Sequence, residues 1–202
     1  MKERQRILLQ AENMFLRYGI KSVTMDDIAR DLGISKKTLY QYVSNKADLI
    51  QKIFDQHVEM EKQVIDEVTN QSKDAIDEIL NIAKTVIQML RGMSPNTIYD
   101  LRKYYRDIWM MMEALHQKYI YQVIKTNLER GKKEGLYRED LHADIVAKLY
   151  VAKNSLVVDE ELFPLREYNK EKLFSEYINY HIHGIASAKG LKLLEKYTSA
   201  SC

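Results

Sequence analysis

A stretch near the N-terminus constrains the fold more than any other part of the chain. Thr24, with Asp27 three residues later, has the pattern of a capping box and predicts the start of a helix. Gly33 ends that helix, because glycine takes the left-handed conformation at low cost. Ser35 is a suitable N-cap for a second helix, predicted over residues 36–42. Two short helices joined by so tight a turn predict a helix-turn-helix.

The second helix carries Lys36 and Lys37 in its first turn, where cations are unfavourable. The positive end of a helix dipole costs a cation about 0.3–1 kcal/mol, and such violations are expected at functional sites. A polyanion lying across this helix end would turn the penalty into attraction. The alternative is a surface corner between two helices with solvated lysines, because the same geometry occurs in proteins that never bind DNA.

Residues 7–54 resemble the N-terminal domain of the TetR family of transcriptional regulators. Two positions depart from the family pattern: Val43 stands where the family usually has Phe, and Lys37 where it often has a small residue. The resemblance implies a homodimeric repressor that a small molecule releases from a palindromic operator. The residues that carry it are Phe15–Gly19, Thr24, Met25, Ile28, Ala29, Gly33–Tyr42 and Asn45–Leu49.

The charge distribution also favours a nucleic-acid surface at the N-terminus. Residues 1–47 hold nine lysines and arginines against five acids, whereas the rest of the chain holds 22 bases and 24 acids. The alternative is that this asymmetry is a chance fluctuation of a few charges. Basic clusters on one part of a chain are the electrostatic signature of nucleic-acid binding.

The remainder of the chain predicts long helices, because it has few residues that interrupt them. The chain contains only two prolines and seven glycines, and apolar residues recur at helical spacing. Helices are predicted over about 74–93, 95–102, 108–135, 143–158 and 171–189. We therefore expect an all-α fold with a three-helix DNA-binding domain (1–47) that contains the helix-turn-helix. A larger helical bundle (48–202) would serve dimerisation and ligand binding.

The DNA contacts are predicted from the helix-turn-helix and the start of the next helix. Lys37 and Gln41 are expected nearest the base edges, and Thr24, Tyr42 and Lys46 on phosphates. The partner is a double-stranded DNA operator. The full predicted set is Thr24, Ser35, Lys36, Lys37, Thr38, Tyr40, Gln41, Tyr42 and Lys46.

The segment 99–121 predicts a pocket for a small apolar or aromatic effector. It carries more large, polarizable side chains than one helix face can bury, and such side chains suit a flat or greasy ligand. The alternative is ordinary packing in the core and at an interface. The predicted lining is Met89, Met93, Tyr105, Trp109, Met112, His116 and Tyr119.

A homodimer is expected through the helices at 143–158 and 171–189, with Ile178 and Ile185 in the interface. The alternative is that these helices only complete a monomeric core. The single cysteine, Cys202, allows no disulfide within one chain. No signal peptide or apolar run long enough to span a membrane appears in the sequence, so a cytoplasmic protein is expected.

No cofactor or metal is predicted, and an enzyme is the minority interpretation. His181 and His183 are two residues apart and so lie on different helix faces, which disfavours a shared metal ion. The sequence has no glycine-rich phosphate loop and no nucleophile elbow. The alternative function is a helical enzyme or interaction module whose helix-turn-helix does not bind DNA.

Overall fold

A computed structural model describes residues 3–92, 95–157, 159, 161–164 and 166–199. It confirms the all-α fold, with one isolated β-bridge between Tyr137 and Ala186. No helix in this part of the chain is both long and apolar enough to cross a membrane. The helices are α1 (Glu3–Tyr18), α2 (Met25–Leu32), α3 (Lys36–Leu39), α4 (Lys46–Gln71), α5 (Ala75–Gly92), α6 (Pro95–Tyr104), α7 (Arg106–Lys133), α8 (Ala143–Val157), α9 (Lys170–Ile185) and α10 (Ala188–Ser199).

The chain divides into two compact units, of which the N-terminal unit combines Met1–Gln63 with Gly92–Leu115. Its core joins the apolar stripe of α1 to the buried faces of α2, α3 and the start of α4, as predicted for a three-helix domain. Val43 is buried in this core, so the smaller side chain is accommodated. Leu101 of α6 is also a core residue. This unit therefore extends beyond the helix-turn-helix to include α6.

The C-terminal unit combines Val64–Arg91 with His116–Cys202 and has a core of its own. The core is built mainly from α5, the second half of α7, α8 and α9. The predicted division into domains at residues 47 and 48 concerns which part of the chain binds DNA. It stays a prediction, because compactness does not test that assignment.

A polar network is buried inside the C-terminal unit. Arg130 donates to the carboxylate of Glu78 at 2.7 Å, and the Glu78 side chain is only 2% exposed. Asn127 and the hydroxyl of Tyr137 both donate to the carbonyl of Ala75 at 2.9 Å. Burial raises the pKa of Glu78, and the hydrogen bond from Arg130 acts against that rise. The network fixes the start of α5 to the end of α7.

The predicted continuous helix over 171–189 was wrong. The structure ends α9 at Ile185 and begins α10 at Ala188. Between them, Ala186 is extended, with φ −68° and ψ 144°, and it forms the bridge to Tyr137. Contacts with a distant segment therefore accompany the interruption of the helix.

The new helix start is fixed by Ser187 and Gly190. The Ser187 N–H donates to the carbonyl of Leu136 at 2.9 Å, and its hydroxyl accepts from the Gly190 N–H at 3.1 Å. A Cβ at Gly190 would lie 2.1 Å from the Leu136 carbonyl oxygen. Only glycine therefore allows α10 to pack this closely on the turn after α7.

The assignment of Ile178 and Ile185 to a dimer interface was also wrong. Their side chains are 4% and 3% exposed within a single chain, so both are core residues of the C-terminal unit. The periodicity correctly identified an apolar face of α9, but that face packs inside the subunit. An interface must use another surface.

Candidate nucleic-acid interface

The start of α2 has the predicted capping box. The Thr24 hydroxyl accepts from the Asp27 N–H at 3.1 Å, and the Thr24 N–H donates to the Asp27 carboxylate at 3.0 Å. Hydrogen bonds from Thr24 lower the pKa of Asp27. Gly33 closes the helix with φ +68°, in the left-handed region that favours glycine. The turn that positions α3 is thus formed by short-range contacts.

The second helix is shorter than predicted. Ser35 caps it by accepting from the Thr38 N–H at 3.0 Å, and Leu39 anchors it in the core. The α-helix ends at Leu39, whereas the sequence predicted it to reach Tyr42. Gln41 and Tyr42 donate to carbonyls three residues earlier, at 3.1 and 3.0 Å, so the last turn tightens. Gln41, the last predicted base reader, therefore lies in this tightened turn and not in the α-helix.

The predicted DNA-contact side chains of this region lie mostly on the surface. Thr38 and Tyr42 are half-buried, and Tyr42 packs against the core of the N-terminal unit. The exposed members are Thr24, Ser35, Lys36, Lys37, Tyr40 and Gln41. One short helix and its flanks therefore present a contiguous polar segment with a core residue behind it.

The two lysines of α3 have different surroundings. Lys36 donates to the carboxylate of Asp26 at 2.9 Å, which raises the pKa of Lys36. Lys37 is exposed and has no hydrogen bond or ion pair within the described part of the chain. Asp26 of α2 compensates the positive charge of Lys36. The charge of Lys37 has no counter-charge among the described residues.

Lys46 is engaged by the main chain in the free protein. Its ammonium donates to the carbonyls of Ile20 and Val23 and lies 5.8 Å from the ring centroid of Phe15. Partial burial lowers its pKa. Lys46 therefore joins the start of α4 to the turn between α1 and α2. The predicted phosphate contact of Lys46 stays a prediction.

Two further side chains contact carbonyls beside the helix-turn-helix. Arg6 donates to the carbonyl of Leu32 at 2.7 Å, and Lys52 donates to the carbonyl of Tyr42 at 3.0 Å. Sequence reasoning missed both contacts, because each joins residues ten or more positions apart. They hold the ends of α2 and of the turn after α3 in place.

The residues predicted to line an effector pocket are divided between the two units. Tyr105 and Trp109 pack against the core of the N-terminal unit, which also contains the half-buried Met112. His116 and Tyr119 belong to the C-terminal unit. Tyr119 donates to Asp66 at 3.2 Å. The Met89 side chain and Met93 lie outside the described residues.

Two open clefts are found elsewhere, both in the C-terminal unit. One of about 430 Å³ is lined by Leu136, Leu193 and lysines of α10, and one of about 230 Å³ is lined by polar side chains of α4 and α5. None of the predicted pocket residues whose side chains the structure describes lines either cleft. Across the described ranges, no three metal-ligating side chains lie close enough together to hold a metal ion.

Residues 7–53 match the sequence profile of the family described as "Bacterial regulatory proteins, tetR family". The N-terminal part of the chain thus has the N-terminal domain of the TetR family. A full-length relative is the uncharacterized HTH-type transcriptional regulator YvaF of Bacillus subtilis, 24% identical over 91% of this chain and 95% of YvaF. The matched residues contain the helix-turn-helix formed by α2 and α3.

Solved structures share the TetR-like fold along most of the chain. A transcriptional regulator from Cytophaga hutchinsonii has a TM-score of 0.76 at 15% identity, covering 91% of this chain and 98% of that one. The fatty acid degradation regulator FadR of Bacillus halodurans has a TM-score of 0.70 at 15% identity, covering 91% and 96%. At such identities the likeness concerns the fold alone.

Proposed function

We propose that this TetR-family protein is a homodimeric transcriptional repressor without enzymatic activity. It would bind a palindromic DNA operator and release it when a small apolar or aromatic effector binds. The observation that carries the proposal is the capped, exposed α3 with an uncompensated Lys37 in its first turn. DNA phosphates and base edges are the natural acceptors for such a surface.

In this proposal, Lys37 and Gln41 contact base edges, while Thr24, Tyr42 and Lys46 contact phosphates. Ser35, Lys36, Thr38 and Tyr40 complete the contact surface. Lys36 must exchange Asp26 for phosphate, so its contribution is smaller than that of Lys37. Lys46 already holds two carbonyls, so its removal is expected to loosen the scaffold as well as the DNA contact.

The DNA proposal is tested by salt titrations of duplex binding with Lys37→Ala. Loss of a base reader is expected to cost about 1–3 kcal/mol and to relax specificity. The control is Lys192→Ala, which removes the same charge from α10 of the C-terminal unit. Unchanged affinity of Lys37→Ala for the DNA upstream of its own gene would remove the assignment of α3 as the reading element.

The homodimer is supported by an apolar stripe on α8 that a single chain leaves uncovered. Ile145, Leu149 and Leu156 are 55%, 51% and 50% exposed, and Ala152 lies between them on the same helix face. Residues spaced in this way form one continuous strip along a helix. A two-fold axis would place two copies of the strip against each other and bury both.

Sedimentation equilibrium of Leu149→Asp tests this dimer. The wild-type chain is expected to be a dimer at micromolar concentration, and the variant a folded monomer. Leu9→Asp, at a 45% exposed position of α1, is the matched control and should stay dimeric. A dimeric Leu149→Asp variant would move the interface away from α8. The dimer should present its recognition helices about 34–36 Å apart.

The coupling of effector to DNA is proposed to run through α6. Inside the N-terminal unit, the Thr97 hydroxyl donates to the Phe15 carbonyl at 3.1 Å, and Asp100 accepts from the Lys21 N–H at 2.8 Å. Leu101, on the same face of α6, is buried in the core. A ligand that displaces α6 would therefore move the end of α1 and the turn before α2.

The proposed effector contacts are Met89, Met93, Tyr105, Trp109, Met112, His116 and Tyr119. A typical coupling free energy of about 1–3 kcal/mol would weaken operator binding about 5–150-fold, and operator DNA would weaken effector binding equally. Trp109 is the only tryptophan and reports binding by fluorescence. A compound that quenches Trp109 with equal affinity with and without operator would refute the coupling.

A further inference from the structure

Besides Arg6 and Lys46, which bind main-chain carbonyls, several cations of the N-terminal unit are held in two further ways. Some are paired with carboxylates at 2.8–3.6 Å: Arg30 with Asp27, Lys36 with Asp26 and Lys52 with Asp48. Others lie over aromatic rings: Arg17 over Tyr18, Lys21 over Tyr104, Arg102 over Trp109, and Lys103 over Tyr99 and Tyr104. An aromatic ring orients a cation and leaves its net charge uncompensated.

Lys21, Tyr99, Lys103 and Tyr104 form one connected group, here termed the α6 basic cluster. Lys21 donates to the Tyr104 hydroxyl at 2.9 Å, and Lys103 donates to the Tyr99 hydroxyl at 2.7 Å. The two ammonium groups lie 4.7 and 5.5 Å from the centroid of the same Tyr104 ring. Two phenols thus hold two like charges beside one another on the protein surface.

The carboxylate of Asp100 contacts the α6 basic cluster without forming an ion pair with either ammonium. Asp100 accepts from the main-chain N–H of Lys21 at 2.8 Å, and neither lysine has a salt bridge in the described parts of the chain. Tyr99 and Tyr104 remain 57% and 41% exposed. The cluster therefore offers oriented, accessible cations between aromatic rings, an arrangement suited to a polyanion.

We infer that the α6 basic cluster is a second DNA contact, which binds backbone phosphates that flank the base pairs read by α3. The inference rests on the proposed function. Lys21 is three residues before Thr24, the N-cap of α2 and a proposed phosphate contact. Three residues span at most about 10 Å, so a strand that passes Thr24 lies within reach of Lys21 and of the phenol-linked Lys103.

The inference assigns the cluster to affinity and not to sequence recognition, because phosphates carry no direct sequence information. Each neutralised phosphate contributes about 0.9 to the slope of log affinity against log salt. The Lys21→Gln/Lys103→Gln variant should therefore lose about 1.8 of slope. At about 0.1 M salt this corresponds to a roughly eightfold loss of DNA affinity per lysine, and the loss is equal for specific and random duplexes.

The experiment measures binding of wild-type chain and variant to duplex DNA at several salt concentrations. The probes are the sequence upstream of its own gene and a random duplex, each in a long form and in a form trimmed at both ends. Lys192→Gln/Lys196→Gln removes two lysines from α10 and should leave the slope unchanged. Lys21→Arg/Lys103→Arg keeps the charge and should retain the slope, and thermal unfolding verifies that each variant is folded.

The expected result is a reduced slope on the long duplexes and convergence of variant and wild type on the trimmed ones. A wild-type slope in the Lys21→Gln/Lys103→Gln variant overturns the inference and leaves the proposed function intact. A reduced slope that is equal on long and trimmed duplexes also overturns it, because the lysines then act at a distance. If the wild-type chain shows no salt-dependent DNA binding, the proposed function fails, and this inference with it.

Discussion

In the N-terminal unit, Thr24 and Ser35 accept from N–H groups three residues away, whereas in the C-terminal unit Arg130 binds a carboxylate 52 positions away. The first kind of contact lies at the surface and shapes one helix end. The second kind is buried and ties two long helices together. The starts of α2 and α3 are thus specified by local contacts, whereas the buried network of the C-terminal unit depends on distant polar groups that must all be satisfied together.

The largest expected effect comes from Arg130→Met, which breaks the buried network. Removal of one partner leaves the carboxylate of Glu78 buried without its cation, and such changes cost roughly 3–5 kcal/mol of unfolding free energy. Urea unfolding measures the loss. Lys148→Met is the control, because Lys148 forms an exposed pair with Asp144, and it should cost far less than Arg130→Met. Similar losses in both variants would contradict the distinction between the two kinds of contact.

The same variant has a predicted pH dependence. Burial already raises the pKa of Glu78, and loss of Arg130 removes the hydrogen bond that opposes the rise. The folded variant then binds this proton more tightly than the unfolded chain does, so its stability falls as pH rises above the unfolded carboxyl pKa of about 4.3. The stability gap between wild type and Arg130→Met should be smaller at pH 5 than at pH 7.5. A wider gap at pH 5 would oppose this account.

A smaller effect, with opposite signs at two glycines, is expected in the same unit. Gly190→Ala places a Cβ 2.1 Å from the Leu136 carbonyl oxygen, which we expect to cost about 1–3 kcal/mol. Gly184→Ala meets nothing within 4 Å on the exposed side of α9, so it should gain about 0.5–1 kcal/mol. Thermal unfolding of both variants is the measurement. Unchanged or increased stability of Gly190→Ala would mean that α10 does not depend on this close approach.

Local capping should matter less than the buried network. Thr24→Ala removes the acceptor for the Asp27 N–H and is expected to cost about 1 kcal/mol. Thr24→Ser keeps the hydroxyl and should stay near wild type. Denaturant unfolding monitored by circular dichroism gives both values. A loss of stability comparable to that of Arg130→Met would contradict the expectation that a local cap contributes less than the buried network.

The smallest effect concerns His57, whose ring lies 3.3 Å from the Glu12 carboxylate between α4 and α1. The hydrogen bond to Glu12 raises the pKa of His57. Its stabilisation is therefore complete below the unfolded histidine pKa of about 6.5 and is lost as pH rises through the folded value. His57→Gln should cost less than about 1 kcal/mol at pH 5.5 and nothing at pH 8.5. A larger cost at pH 8.5 would contradict the ion pair.

Sequence reasoning succeeded where the determining contact is short-range. The caps at Thr24 and Ser35 and the stop at Gly33 join residues within a few positions, and all are present. The break after Ile185 was not predicted, because contacts with the turn after α7 produce it. A local signal did exist, since Ser187 followed by Gly190 suits a helix start.

The same distinction between short-range and long-range contacts applies to the candidate nucleic-acid interface. The position of α3 and its exposed face could be predicted from its caps and Leu39. The surroundings of its cations could not, because Lys46 binds carbonyls 23 and 26 positions away and Lys21 binds a phenol 83 positions away. Burial of Ile178 within one subunit could likewise not be predicted, because an apolar stripe does not show whether it packs against the same chain or a second copy.

The four side chains that support the helix-turn-helix all bind main-chain carbonyls. Arg6, Lys46, Lys52 and Thr97 contact the carbonyls of Leu32, of Ile20 and Val23, of Tyr42, and of Phe15. A carbonyl is present whatever side chain its residue carries. The proposed base-reading positions Lys37 and Gln41 take no part in these supports, so they are free to diverge in evolution or to be randomised in a library. New operator preferences are thus reachable on an unchanged frame.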